Sequence, residues 1–183
     1  MSHPLAVVDA EPGRHLDLLV LDAVHVQAWE RLLFVGCGDG WIAEEAWRRA
    51  LRGYVQGLDT SAGLIARATE LRGVPGKLEF LQWDGRRIPC PDASFHRVIA
   101  KFALLPAQNA GGVLAEMHRV LQPRGHLYLL EVDRRSGNDG ATPPAFGAAL
   151  QRAGFREARE LERREMALER GERATGAIVH ALA

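Results

Sequence analysis

The feature that most limits what this chain can fold into is the stretch Leu32-Leu33-Phe34-Val35-Gly36-Cys37-Gly38-Asp39-Gly40, followed at once by Trp41-Ile42-Ala43-Glu44-Glu45-Ala46-Trp47. Its apolar run has the length and character of a buried strand, and the residues after the glycines have the pattern of a helix. Glycines at every second position mark a bend where a Cβ would block either a positive φ or the close approach of a ligand. Such a bend delivers the chain to a helix N-terminus, where unpaired N–H groups and the positive end of the helix dipole form a site for a polar ligand. The spacing narrows the choice of ligand. A dinucleotide fingerprint, Gly-x-Gly-x-x-Gly, needs glycine where this chain has Trp41, so Gly-x-Gly-x-Gly is the better reading and a nicotinamide-dependent enzyme is the weaker one.

The rest of the chain repeats the strand–helix alternation that this motif begins. A helix is predicted from His15 to Gln27, with Leu16, Leu19, Val20, Ala23 and Val24 near helical spacing, after an arm broken by Pro4, Pro12 and Gly13. Strands are predicted at 31–36, 54–58, 77–83, 95–102 and 126–132, with helices at 41–51, 62–71 and 110–122 between them. Asp59-Thr60-Ser61 supplies N-cap candidates for the second of these helices, and Pro123 stops the third. Pro143-Pro144 opens a further helix to Ala153, which Gly154 closes. Residues 155–173 favour helix by their Glu and Arg content, and Ala177 to Leu182 favours a last strand. Strands alternating with helices imply a mostly parallel sheet covered on both faces. The organisation expected is one domain over 1–183, with an N-terminal arm and helix at 1–29 and the core at 30–183.

Composition excludes several classes. Lys+Arg and Asp+Glu each number 23, so no basic excess points to nucleic acid. Cys37 and Cys90 form no CxxC pair and no histidines stand at ligand spacing, so no metal is expected. The N-terminus shows no secretion signal and no apolar run approaches the ~18 residues of a membrane span, so a cytosolic protein is expected. The Gly-x-Ser-x-Gly, P-loop and His-Glu-x-x-His motifs are missing.

In an open parallel sheet, ligands sit at the carboxyl ends of the strands, and Gly36 to Gly40, Asp59, Asp84 and Lys101 all fall at predicted ends. Asp59 stands where a carboxylate can accept both hydroxyls of a ribose. Cys37 reads as a small residue chosen for the bend.

Leu32 to Gly40, Leu58-Asp59, Trp83-Asp84-Gly85, Pro91-Asp92-Ala93-Ser94-Phe95 and Glu116 to Gly125 follow one another in an order that resembles the class I S-adenosylmethionine-dependent methyltransferases, in their small-molecule branch. That resemblance spans residues 30–182 and implies an α/β fold: a doubly wound, mostly parallel seven-stranded sheet of order 3-2-1-4-5-7-6, strand seven antiparallel, with helices on both faces. It therefore implies strand six within 155–168, against local propensity, and strand seven at 175–182. By the same resemblance the cofactor is S-adenosylmethionine, Asp84 accepts the adenine amino group and the Gly85 N–H faces a ring nitrogen. Thr60 and Leu64 line the nucleoside, backbone groups of Gly36, Gly38 and Lys101 hold the methionine end, and Cys37 and Gly40 complete the cofactor-binding bend. The partner implied is a small-molecule methyl acceptor, for a monomer or homodimer.

Two positions depart from the resemblance. Phe34 stands where an acid often precedes the first glycine, and His96 follows Ser94-Phe95 where Asp is common. They motivate an alternative, a methyltransferase-like binder or scaffold without turnover. No general base is singled out: His96 reads as a strand-start residue, His25 as a solvated or packed side chain, and Trp83 as core. Glu131, Asp133 and Arg134 follow strand five on the ligand side and serve equally as substrate contacts or as solvated charges.

Overall fold

A computed structural model describes residues 14–101, 109–133, 144–167 and 173–183. Its elements are α1 (Arg14–Val24), β1 (Arg31–Val35), α2 (Trp41–Arg49), β2 (Tyr54–Asp59), α3 (Ala62–Arg72), β3 (Leu78–Gln82), β4 (Phe95–Lys101), α4 (Ala110–Val120), β5 (Leu121–Asp133), α5 (Pro144–Arg152), β6 (Arg156–Ala167) and β7 (Arg173–Leu182). The strands form one seven-stranded sheet of order β3-β2-β1-β4-β5-β7-β6. Pairing is parallel from β3 to β5, and β7 runs antiparallel to both β5 and β6. This is the topology that the resemblance implied. Among the described residues, no helix is long and apolar enough to cross a membrane.

The alternation of β1 explains the two core layers. Leu33 and Val35 point to the face covered by α4 and α5, where they meet Val113, Leu114, Met117 and Leu150. Leu32 and Phe34 point to the other face, against Val20 and Leu21 of α1 and Ile42 and Ala46 of α2. A central strand buried on both faces reads as an unbroken apolar run, which is what Leu32 to Val35 shows.

Three expectations need correction. Helix α4 ends at Val120, not at 122, because Leu121 already adopts extended backbone and pairs with Phe95. Strand five therefore starts at Leu121, with an irregularity near Arg124, whose φ is +66°, before the regular ladder from His126. The buried face of α1 carries Asp17, Val20, Leu21 and Val24, so the apolar stripe is rotated from the one expected and includes an acid.

The helical propensity of 155–173 loses to the sheet. Without β6, the outer edge of β7 would present unpaired N–H and C=O groups, and the register Arg159↔His180 through Ala167↔Arg173 closes it. Arg163 and Glu160, at helical spacing, still form an ion pair of 2.6 Å, helped by a register shift between Glu160 and Glu162. The exposed charges along β6 discourage pairing with a further chain. The expected arm at 1–13 and residues 102–108, 134–143 and 168–172 lie outside the described residues.

At the opposite end of the sheet from the glycine bend, His126 Nδ1 and His180 Nε2 lie 2.9 Å apart, and His180 is 7% exposed. Burial first, then the positive neighbours His126, Arg159 and Arg97, pushes His180 from its ordinary 6.5 down to about 4. The unfolded chain thus takes up this proton before the folded one. The contribution to stability is complete above pH 6.5 and is lost as pH falls toward 4, by at most about 1.4 kcal/mol per pH unit for one site. Denaturant midpoints measured from pH 7 to 4 should fall along that slope, and His180→Gln should flatten it.

Candidate functional site

The bend after β1 is hung from the end of β2: the Gly36 and Cys37 N–H groups both donate to the Leu58 carbonyl, at 2.8 and 3.0 Å. Two of its glycines are needed for different reasons. Gly36 has φ +77°, and a Cβ there would stand 2.3 Å from the Lys101 carbonyl oxygen, so this glycine lets β4 pass. Gly38 has φ +59°, and a Cβ there would meet nothing within 4 Å. Gly38 therefore faces open space, and Gly40 packs toward the Phe80 ring. Cys37 is 4% exposed, and its thiol is pushed up to about 12 by burial and then by Asp59, so it is a packed small residue and not a nucleophile.

Asp39 stands immediately before Gly40, the N-cap of the helix that follows. Its Oδ1 accepts the Trp41 N–H at 3.2 Å, while Arg72 of α3 reaches its carbonyl at 3.0 Å and its Oδ2 at 3.2 Å. The same guanidinium pairs with Glu44 at 2.7 Å. These contacts clamp the bend and the start of α2 to α3.

Asp59 ends β2 and ties three loops together. Its Oδ2 accepts the Gly38 N–H at 2.9 Å, its Oδ1 accepts the Ser61 N–H at 3.0 Å, and its carbonyl accepts the Trp83 N–H at 3.1 Å. A carboxylate has about four acceptor positions, so each oxygen retains one beside the open face of Gly38. Ser61, one of the expected cap candidates, caps α3 by accepting the Leu64 N–H at 3.3 Å. Leu64 stays 39% exposed at this first turn, and Thr60 is exposed beside it. Gly85, at φ +75°, lies across from the Thr60 methyl. Asp84 is exposed, and the N–H groups of Arg86 and Arg87, at 2.8 and 3.0 Å, hold its carboxyl below the usual range. Trp83 turns into the core, 8% exposed, as alternation with Asp84 requires.

Gly36 to Gly40, Asp59, Thr60, Leu64, Asp84, Gly85 and Lys101 are thus all at the carboxyl ends of β1 to β4. His96 is not. It opens β4 at the far end of the sheet, where its Nδ1 accepts the Arg31 N–H at 3.0 Å and Trp29 packs edge-on against it. The departure at this position therefore touches no strand tip. His25 follows the C-terminal end of α1, also away from the tips, with φ +49°. Phe34 is buried at 1%. Arg134 and the side chains of Glu131 and Asp133 lie outside what the structure describes.

One residue at this end was missed. Asp17 of α1 is 4% exposed, and its carboxylate lies 2.6 and 2.8 Å from Lys101 Nζ. Its signal was in the sequence, as an acid in line with Val20, Leu21 and Val24.

Comparison with known proteins follows the same geometry. The family described as "Methyltransferase domain" matches residues 33–129, which hold every strand tip named above. A phthiotriol/phenolphthiotriol dimycocerosates methyltransferase of Mycobacterium ulcerans is 34% identical over 134 residues, 72% of this chain and 48% of that protein. A demethylmenaquinone methyltransferase of Geobacillus kaustophilus is 32% identical over 119 residues, 63% of this chain and 50% of that protein. Among solved structures, the YcgJ protein of Bacillus subtilis superposes with a TM-score of 0.76 at 14% identity, covering 92% of this chain and 98% of that one. The chain belongs to the methyltransferase domain family, of the S-adenosylmethionine-dependent class I type. It spans half or less of the length of the curated relatives it matches first, 26, 48 and 50%.

The open face of Gly38 gives a separable prediction. Gly38→Ala meets no atom, so it should lower stability only by the roughly 1–2 kcal/mol of a left-handed residue. A ligand seated on that face would nevertheless collide with the added methyl. Denaturation and titration of S-adenosylmethionine on the same variant check the two parts.

Proposed function

We propose that this chain binds S-adenosylmethionine across the tips of β1 to β4 and transfers its methyl group to a small-molecule acceptor. The observation that carries the reading is Asp59, whose carboxylate holds the Gly38 N–H at 2.9 Å and keeps acceptor positions beside the open face of that glycine. A ribose fits this arrangement, because two adjacent hydroxyls can donate to one carboxylate. Adenine then lies toward Asp84 and Gly85, against the exposed Leu64 and Thr60. The methionine end lies toward Gly36 and Lys101.

S-adenosylmethionine brings an activated methyl on a sulfonium, so the protein's share is to hold donor and acceptor in line and keep water out. The backbone of the bend fixes the donor, and Asp59 fixes its ribose. A base is required only for a weakly acidic acceptor. The two relatives named above support a small-molecule acceptor, since their names specify phthiotriol/phenolphthiotriol dimycocerosates and demethylmenaquinone. We read the sheet and its helices as one domain, of a cytosolic protein without a nucleic-acid partner. Incubation with S-adenosylmethionine and a panel of quinols, sterols and lipid phenols, followed by mass spectrometry, should give a product heavier by one methyl. Cofactor binding with no methylated product from single turnover across that panel would favour a binder without turnover.

A further inference from the structure

Across the strand tips the polar groups follow one order: Asp84 beyond β3, Asp59 at β2, the glycine bend at β1 and Lys101 at β4. The last position holds more than a backbone. Lys101 shares the face of Ile99, which is the face covered by α1, and its ammonium meets the carboxylate that α1 brings in. Asp17 stands on the buried stripe of that helix, between sheet and solvent, where Val20, Leu21 and Val24 are all apolar and 0–1% exposed. An acid on such a stripe costs burial energy that an apolar residue would not, so its presence calls for a use besides packing. The side chain of Asp17 is 6% exposed and that of Lys101 is 21% exposed, so the pair opens to solvent through the lysine. The Lys101 carbonyl also borders Gly36, which fixes the pair beside the first glycine of the bend.

Resting on the reading above, we infer that the Asp17–Lys101 pair receives the amino-acid end of the cofactor, Asp17 taking its ammonium and Lys101 its carboxylate. That end of the ligand is a zwitterion, and a paired acid and base present the complementary charges at one place. The other acids nearby are committed elsewhere. Asp39 is turned toward Arg72 and the Trp41 N–H, and Asp59 toward Gly38 and Ser61. Strand β1 offers none, since Phe34 is packed in the core. Asp17 is thus a cofactor-binding residue supplied by the N-terminal helix, and that helix becomes part of the site.

The test compares two ligands on the full chain by calorimetry: S-adenosylhomocysteine, and 5′-methylthioadenosine, which has the nucleoside and sulfur but no amino-acid end. Wild type should bind the first at least roughly tenfold more tightly, as expected for charge-assisted contacts. Asp17→Asn should weaken S-adenosylhomocysteine roughly 10–100-fold and leave 5′-methylthioadenosine within about twofold. Asp17→Asn removes the carboxylate opposite a partly buried ammonium, so the double variant Asp17→Asn/Lys101→Met, which removes both charges, carries the test if the single one does not fold. Parallel loss of both ligands, no loss of either, or equal affinities on wild type would overturn the inference while leaving the cofactor site intact. Failure of wild type to bind either ligand would instead remove the cofactor reading itself.

Discussion

Gly36→Ala is expected to lower the stability of the chain by about 2–5 kcal/mol and to abolish cofactor binding at micromolar ligand. Two effects add. The residue sits at φ +77°, a left-handed conformation that costs a side chain about 1–2 kcal/mol. Its Cβ would also stand 2.3 Å from the Lys101 carbonyl, a backbone atom that cannot rotate away. The seam between β1 and β4, registered through Val35↔Ala100, must then open, at the 1–3 kcal/mol typical of overpacking. Opening that seam moves the bend away from β2, to which it is tied by the Gly36 and Cys37 N–H groups. Urea denaturation and calorimetry on the same preparation check both parts. The contrast with Gly38→Ala is the informative one, because the two substitutions are chemically identical and only one meets backbone.

Asp59→Ala is expected to weaken S-adenosylmethionine roughly 10–150-fold, the equivalent of a net loss of about 1.5–3 kcal/mol, the worth of one charge-assisted hydrogen bond. The loss has two sources, and they can be separated. The carboxylate meets the ligand directly in this account, and it also holds the Gly38 and Ser61 N–H groups that shape the loop. Asp59→Asn does not restore it. Whichever way the amide is turned, its NH2 group faces one of those two donors, and only one contact survives. Both variants should therefore lose affinity, and both should also lose melting temperature in the absence of ligand. An alanine variant that binds as tightly as wild type would show that the nucleoside lies elsewhere.

Much of this architecture was legible because its signals are local. The run Leu32 to Val35 with its glycine bend fixed the central strand, and the positions of Asp59, Asp84 and Lys101 at strand ends followed from the alternation of elements. What local signals did not show depended on neighbours distant in sequence. Arg156 to Ala167 has the composition of a solvated helix; only the resemblance implied the strand there, and the open edge of β7 is what makes it one. Leu121 looked like the end of a helix until its pairing with Phe95 was visible. Asp17 and Lys101 are 84 residues apart, so no spacing rule could join them. The acid itself was readable as a charge on a buried stripe, yet its partner was not. His96 illustrates the converse: a departure from the resemblance that looked consequential lies at the far end of β4, where it accepts the Arg31 N–H.

The central claim is that one nucleoside lies across the tips of β2 and β3 above the glycine bend. A crystal structure of the full chain with S-adenosylhomocysteine measures this directly. The account predicts both ribose hydroxyls within hydrogen-bond distance of the Asp59 carboxylate and the adenine beside Asp84 and Gly85. A nucleoside bound elsewhere, or bound here with its ribose turned away from Asp59, would contradict it.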